Sequence, residues 1–356
     1  MKVGFLLISH GGGGAENATF ELINSIAQNK GIKIIVYIND EIFDKFKALP
    51  SIDVVNLGKF PSSGKAKVFL STLNFSRKLS KHLKKDNLDL LQICLQNAMA
   101  ISNWIRHPPP LILRFAGTEL ETLDKPKKNI LEKYLAKNTR LSMKSAKILV
   151  ALSNDQLGLI PRKYHFKVNV IPNGVNLDFF KCLEGVKQKK NVILFVGRYI
   201  GIKGINEILA VASQLPQYDF WFVGEGPLNY LINLPNTVDL GFKTKKDLAV
   251  LYNQATFCVF PSYREGFSNV GLEATSCGRS LICTSQGFSG YIEDGKDGII
   301  IPARNKDALK KAVINLMKNK GRRKMLEKNA RIKAEAYSLD KISKKYLEVF
   351  KGAIKK

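Results

Sequence analysis

Residues Glu265–Glu273, EGFSNVGLE, decide how the rest of the chain is read. The apolar run Thr256–Phe260 precedes them and stops at Pro261-Ser262, the pattern of a buried strand running out into a loop. Ser268 is placed to cap a helix, and Val270, Leu272 and Ala274 begin its apolar spacing. A loop carrying Glu265 and a helix carrying Glu273 about a turn in would then face one crevice. Free N–H groups at Ser268, Asn269 and Val270 suit a phosphate, because a helix start presents unpaired donors and a positive dipole end. A carboxylate beyond them can accept two hydrogen bonds from a vicinal diol such as a ribose. The outline is that of a nucleotide-sugar site. Two glutamates at this spacing are also common as plain solvated side chains, so the company the stretch keeps matters.

Working outward, the first half of the chain alternates strands and helices. Lys2–Ile8 reads as a strand, His10–Gly14 as a glycine turn, and Ala15–Gln28 as a helix with Ala18, Leu22 and Ile26 on one face. Strand, glycine loop and helix form the phosphate-cradling arrangement of nucleotide-binding α/β folds. The spaced GxGxxG pattern and an acidic residue ending the next strand are both missing, which disfavours a plain NAD site. Lys33–Ile38, Ile52–Leu57, Leu88–Leu95, Pro110–Phe115, Ala146–Leu152 and Val168–Ile171 read as further strands, the last entering the turn Pro172-Asn-Gly-Val175.

Residues 176–190 lose the pattern and collect charge, and are read as a linker. A second series follows: strands at Asn191–Val196, Asp219–Val223, Val238–Leu240, Thr256–Phe260, Ser280–Cys283 and Gly298–Ile301, with a helix at Ile205–Leu215. Helices at Asp307–Lys318, Arg322–Ala336 and Leu339–Ala353 finish the chain. The expectation is two doubly wound parallel-sheet domains, 1–175 and 191–338, facing each other across a cleft where the strands' C-terminal ends meet. At 356 residues the chain is long enough for two cores.

Composition narrows the setting. No apolar run approaches the ~18 residues of a membrane span, and the N-terminal run is read as a strand and not a signal peptide. Five cysteines without CxxC spacing argue against a zinc site or a disulfide framework and for a reducing, cytoplasmic location. The formal net charge is +26. Residues 1–180 hold 26 Lys+Arg against 14 Asp+Glu and residues 181–356 hold 30 against 16, so the excess covers the whole surface. Such a surface favours anionic partners, though a lysine-rich proteome produces the same count. Lys65–Lys85 is basic and amphipathic, with Phe69, Leu73, Phe75, Leu79 and Leu83 among its lysines. It is either an ordinary helix lying on the sheet or a surface helix for anionic lipid, and the basic stretch Lys125–Lys147 could add to a positive face.

The first strand of the second half ends FVGRYIGIKG, so Arg198 and Lys203 flank a tight glycine turn. Two cations converging there match a diphosphate, Arg as a planar fork and Lys as a point charge. Taken alone they could be two solvated cations. Together the pieces resemble a known family. Arg198-x4-Lys203-Gly204, Phe222-Val-Gly-Glu-Gly-Pro227, Pro261-Ser262 and Glu265-x7-Glu273 come in the order found in retaining GT-B glycosyltransferases, family 4 above all. Gly13-Gly-Ala-Glu16 and Ile171-Pro-Asn-Gly-Val175 also match. The likeness is dense from Val168 to Pro302 and thin between about 30 and 145.

The resemblance implies a GT-B fold whose last helix, in 339–356, crosses back onto the first domain. It implies that the first domain serves the acceptor and the second the donor. Arg198 and Lys203 would bind the donor diphosphate and stabilise its charge as the glycosidic bond breaks. Glu265 would contact sugar hydroxyls, the backbone of Gly266, Phe267, Ser268, Asn269 and Val270 would hold phosphate and sugar, and Glu273 the ribose. Gly13 and Gly14 would let the first domain approach the phosphates, and Gly224 and Phe242 would border the base. Retention by front-face attack needs no enzyme nucleophile, so electrostatic stabilisation by the two cations would dominate. The sequence has no DxD, so no metal is expected to be obligatory. Many relatives carry a histidine near the reacting centre where this chain has Ala116; Arg114, Thr118 or Glu119 are the candidates for acceptor or donor contacts in its place, Thr118 and Glu119 on the acceptor side, and His10 beside the glycines is either an acceptor-side cleft residue or a structural loop histidine. His107 is read as ending a helix.

The implied activity is transfer of a sugar from a UDP- or GDP-sugar to a hydroxyl of a glycan or lipid-linked acceptor, in cell-surface polysaccharide synthesis. The implied location is cytoplasmic, with the membrane's cytoplasmic face as a possible surface. A GT-B sugar-nucleotide epimerase would bind the same donor but needs further acid/base carboxylates that are not identifiable. A polyanion-binding α/β protein would suit the charge, yet no aromatic–basic platform for nucleic acid is present.

Overall fold

The structure is a computed structural model, and it describes residues 1–9, 13–61, 65–94, 96–117, 120, 123 and 130–355. The chain divides into two compact units, Met1–Gly174 with Leu339–Lys356, and Val175–Ser338. In the first, β1 (Lys2–Leu7), β2 (Lys33–Ile38), β3 (Asp53–Asn56), β4 (Leu90–Cys94), β5 (Leu111–Arg114), β6 (Ile148–Ala151) and β7 (Val168–Val170) form one sheet in the order β3-β2-β1-β4-β5-β6-β7. Every pairing is parallel. Parallel neighbours need crossovers, supplied by α1 (Gly14–Ala27), α2 (Asp40–Lys47), α3 (Lys65–Asp86), α4 (Gln96–Ser102), α5 (Ile130–Ser145) and α6 (Asn154–Leu159).

Side chains alternate across a strand, so β1 serves two cores at once. Val3, Phe5 and Leu7 join Leu22, Ile23 and Ile26 of α1 on one face. Leu6 and Ile8 join Phe75, Leu79 and Leu83 of α3 on the other. That is why the strand reads as an unbroken apolar run. Helix α3 is thus a sheet-packed helix along one face, while Phe69 (39% exposed) and Leu70 (63%) stay at the surface.

The second unit holds β8 (Val192–Val196), β9 (Asp219–Val223), β10 (Thr237–Asp239), β11 (Phe257–Phe260), β12 (Leu281–Cys283) and β13 (Ile299–Ile300), in the order β10-β9-β8-β11-β12-β13. It too is parallel throughout. Its helices are α7 (Ile205–Ala212), α8 (Lys245–Gln254), α9 (Asn269–Ser276), α10 (Lys306–Lys318) and α11 (Lys320–Ala334). Residues 176–190, read from sequence as a linker, pack on this unit. Phe180 is buried, the Leu183 N–H donates to Asn253 Oδ1, and Gln188 Nε2 donates to the carbonyls of Ala255 and Thr256. The segment is irregular but tied down, because side chains satisfy its polar groups where a ladder does not.

The closing helix α12 (Leu339–Ile354) returns to the first unit. Ile342, Tyr346, Phe350 and Ala353 enter the same core as β1 and α1. Of the five cysteines, Cys182 is exposed and Cys94, Cys258, Cys277 and Cys283 are buried, and none is joined in a disulfide.

Candidate functional site

The second sheet's order reverses between β8 and β11, so the connections leaving their carboxyl ends diverge and open a place for a ligand. Lys203 sits in the short turn Gly201–Lys203 that follows β8, and Glu265 in the loop that follows β11. The Tyr263 N–H donates to the Ile202 carbonyl at 2.7 Å and ties the two connections together. Lys203 Nζ then lies 2.9 Å from Glu265 Oε1, with the side chains 17% and 13% exposed. Residues sixty-two positions apart meet because their strands are neighbours. Arg198 is exposed in the same β8 turn, beside Gly197.

The loop after Glu265 is held from below. Phe267 is 7% exposed and packs on Tyr291 and Tyr337 with ring centroids at 5.1 and 6.4 Å. Ser268 caps α9, its hydroxyl accepting from the Gly271 N–H. The Tyr291 hydroxyl donates to the Ser268 carbonyl at 2.8 Å. One expectation needs correcting: the Ser268 N–H donates to the Gly287 carbonyl at 3.0 Å and is not an open donor. The turn after β12 takes that group, so Ser268 anchors the backbone of Gly266–Val270.

Glu273, half-buried on α9, accepts from the Tyr252 hydroxyl at 3.1 Å. Burial, and then the charge of Glu273, push the Tyr252 phenol well above its ordinary range, so it stays a donor. Gly224 follows β9 and lies so close to the β8 turn that a Cβ there would be 2.0 Å from the Gly197 carbonyl oxygen. Its N–H donates to Gly241, which precedes Phe242, 71% exposed. The turns after β8, β9 and β10 are thereby joined in a row carrying Arg198, Gly224 and Phe242. Sequence reading missed Tyr252, Gly287 and Tyr291. Only the turn composition around Gly287 carried a signal, because the other two act through contacts between elements.

In the first unit, Gly13 caps α1 and Gly14 begins it, directly beyond β1 at that sheet's own reversal between β1 and β4. Nearby Glu16 is buried and accepts from Ser9 Oγ at 2.6 Å while pairing with Lys45 at 2.9 Å. His10, Thr118 and Glu119 lie outside the described residues. Ala116 is buried. Arg114 is no contact for acceptor or donor: it is 1% exposed, and its guanidinium donates to Tyr346 Oη at 2.9 Å, Thr19 Oγ1 at 2.8 Å and Asn173 Oδ1 at 2.5 Å. It holds α12, α1 and the end of the first unit together. His107 has a left-handed φ of 52° in the connection between α4 and β5.

Two parallel doubly wound units, one with a Lys–Glu pair at its reversal point, define a nucleotide-binding α/β protein. Residues 12–179 match Glycosyltransferase Family 4 and residues 181–333 match Glycosyl transferases group 1. The chain belongs to these families and is a GT-B glycosyltransferase, an enzyme that draws its sugar from a nucleotide-sugar donor. It is 27% identical, over 100% of both chains, to the N,N'-diacetylbacillosaminyl-diphospho-undecaprenol alpha-1,3-N-acetylgalactosaminyltransferase of Campylobacter jejuni. It is 32% identical to an uncharacterized glycosyltransferase of Methanocaldococcus jannaschii, a match spanning 48% of this chain and half (50%) of that protein. Among solved structures it resembles sucrose-phosphate synthase from Thermosynechococcus elongatus, with a TM-score of 0.87 and 17% identity over 99% of this chain and 98% of that one. It also resembles Anabaena HepE in complex with UDP-glucose, with a TM-score of 0.80 and 19% identity over 99% and 100%. Among the described residues, no helix is long and apolar enough to cross a membrane.

Proposed function

We propose that this chain is a retaining, metal-independent hexosyltransferase that moves a sugar from a UDP-sugar to a hydroxyl of a lipid-linked glycan in cell-surface polysaccharide synthesis. The observation that carries the reading is the Lys203–Glu265 pair at the β8/β11 reversal, with Arg198 on the same turn. A diphosphate on Lys203 and Arg198 places negative charge where two cations stabilise its growth as the glycosidic bond breaks. Glu265 takes the donor's sugar hydroxyls and Glu273 its ribose, while the anchored backbone of Gly266–Val270 aligns phosphate and sugar. The acceptor hydroxyl attacks from the face the leaving group vacates, so configuration is retained and the leaving phosphate accepts the proton. The first unit serves the acceptor.

Uracil is preferred to guanine because HepE, alike in fold, is seen with UDP-glucose. The lipid-linked acceptor follows the full-length Campylobacter relative, whose name specifies a diphospho-undecaprenol substrate. Action on such a substrate places the enzyme peripherally on the cytoplasmic face of the membrane.

A thermal-shift panel of UDP, GDP, ADP, CMP and the common UDP- and GDP-sugars, run in EDTA, tests this. Ligand at 100 times its dissociation constant stabilises the fold by about 2.7 kcal/mol. The expected result is selective stabilisation by one nucleotide and its sugars, lost in Arg198→Ala and Lys203→Ala. Transfer activity surviving EDTA with the anomeric configuration unchanged is the second expected result. No response to any nucleotide sinks the reading; dependence on added divalent metal removes the metal-independent part.

A further inference from the structure

Resting on the donor-site reading above, we propose that Glu265 and the donor's diphosphate compete for Lys203, and that exchange between the two anions favours the nucleotide sugar over the nucleotide product. The pair at 2.9 Å is largely withdrawn from solvent, 17% and 13% exposed, so neither charge can be left without a partner cheaply. The two side chains are mounted on connections tied by the Tyr263–Ile202 hydrogen bond, and the Lys203 N–H is itself bonded to the Ile200 carbonyl at 2.9 Å. Glu265's stem is confined as well. At Gly287, φ +78°, a Cβ would stand 2.8 Å from both Cβ and Cγ of Glu265, so the Gly287 backbone lies directly against that stem. What remains to move is the carboxylate end and the lysine ammonium.

The chemistry of exchange follows. A diphosphate reaching Lys203 displaces Glu265, whose carboxylate must then find donors elsewhere or face a like charge, a juxtaposition that is strongly unfavourable. A nucleotide sugar brings those donors as sugar hydroxyls. A bare nucleoside diphosphate brings only its ribose hydroxyls, which Glu273 takes, so Glu265 gains no new donor and reclaims Lys203 as the product leaves. The same carboxylate that contacts the sugar thus weakens binding of the product formed when the sugar has gone.

Isothermal titration of UDP, GDP and ADP into wild type, Glu265→Gln and Glu265→Ala, at one fixed salt concentration, tests the exchange. The nucleotide that wild type binds is expected to bind both variants about tenfold more tightly, since the competing charge is gone. Its UDP- or GDP-sugar is expected to gain less or to lose affinity, narrowing the preference for the sugar form. Variants that unfold cooperatively like wild type yet bind the diphosphate no more tightly overturn the exchange and leave the donor site standing. A wild type that binds none of the three diphosphates overturns the donor-site reading, and the exchange with it.

Discussion

Glu273 takes its hydrogen bond from Tyr252, on a helix that precedes it by one strand and one loop. A carboxylate meant to grip a diol must be held in one rotamer, or ordering it subtracts from ligand affinity. Tyr252→Phe removes the donor and keeps the ring in its core. Nucleotide-sugar affinity is expected to fall about five- to tenfold, about 1 kcal/mol, the net worth of an ordinary hydrogen bond, because Glu273 is only half-buried. Titration of the donor checks this, with thermal unfolding showing the fold retained; unchanged affinity removes Tyr252 from the site's support. The residue scale also shows where side-chain type misleads. Arg114, the last residue of β5, looks like a cleft residue by its place at the strand's carboxyl end. It is instead a buried clamp on Tyr346, Thr19 and Asn173, which nothing in its neighbours along the chain discloses.

Among the elements, α12 is the one whose position matters most for its distance in sequence. It enters the first unit's core through Phe350, fully buried, whose ring meets Phe5 of β1 edge-on at 6.1 Å. Phe350→Ala leaves a cavity under β1 and is expected to cost about 3–5 kcal/mol. Denaturant unfolding measures it, and a loss below 1 kcal/mol would mean that α12 docks without that core contact. The helix itself was legible, since its apolar residues recur at 3.6-residue spacing; its partner was not, because a stripe says only that something is covered. Helix α3 makes the same point. Its buried stripe, Phe75, Leu79 and Leu83, is ordinary, while Phe69 meets Trp104 and Tyr134 edge-on at the surface.

For the whole molecule the net charge of +26 is the dominant long-range property. It steers anionic ligands, nucleotide sugars included, and is screened over about 10 Å at 0.1 M salt. If the proposed membrane location is correct, the protein should float with vesicles containing phosphatidylglycerol at low salt, and release by about 0.5 M salt is expected for an electrostatic attachment. Flotation with neutral vesicles alone, or with none, contradicts that attachment without touching the donor site.

The alternation of strands and helices, the two series of them, and the order Arg198, Lys203, Glu265 and Glu273 are legible in the chain itself. Those are local or near-local properties: apolar period, turn residues, and a loop between a strand and a helix. The ion pair of Lys203 with Glu265, the bond from the Ser268 N–H to Gly287, the hold of Tyr252 on Glu273 and the packing of residues 176–190 on the second unit arise only once the chain is folded. Each of these depends on which strands became neighbours and which side chains came to face each other. Pairing of that kind is fixed by burying both faces of a sheet at once, and no stretch of one strand carries it.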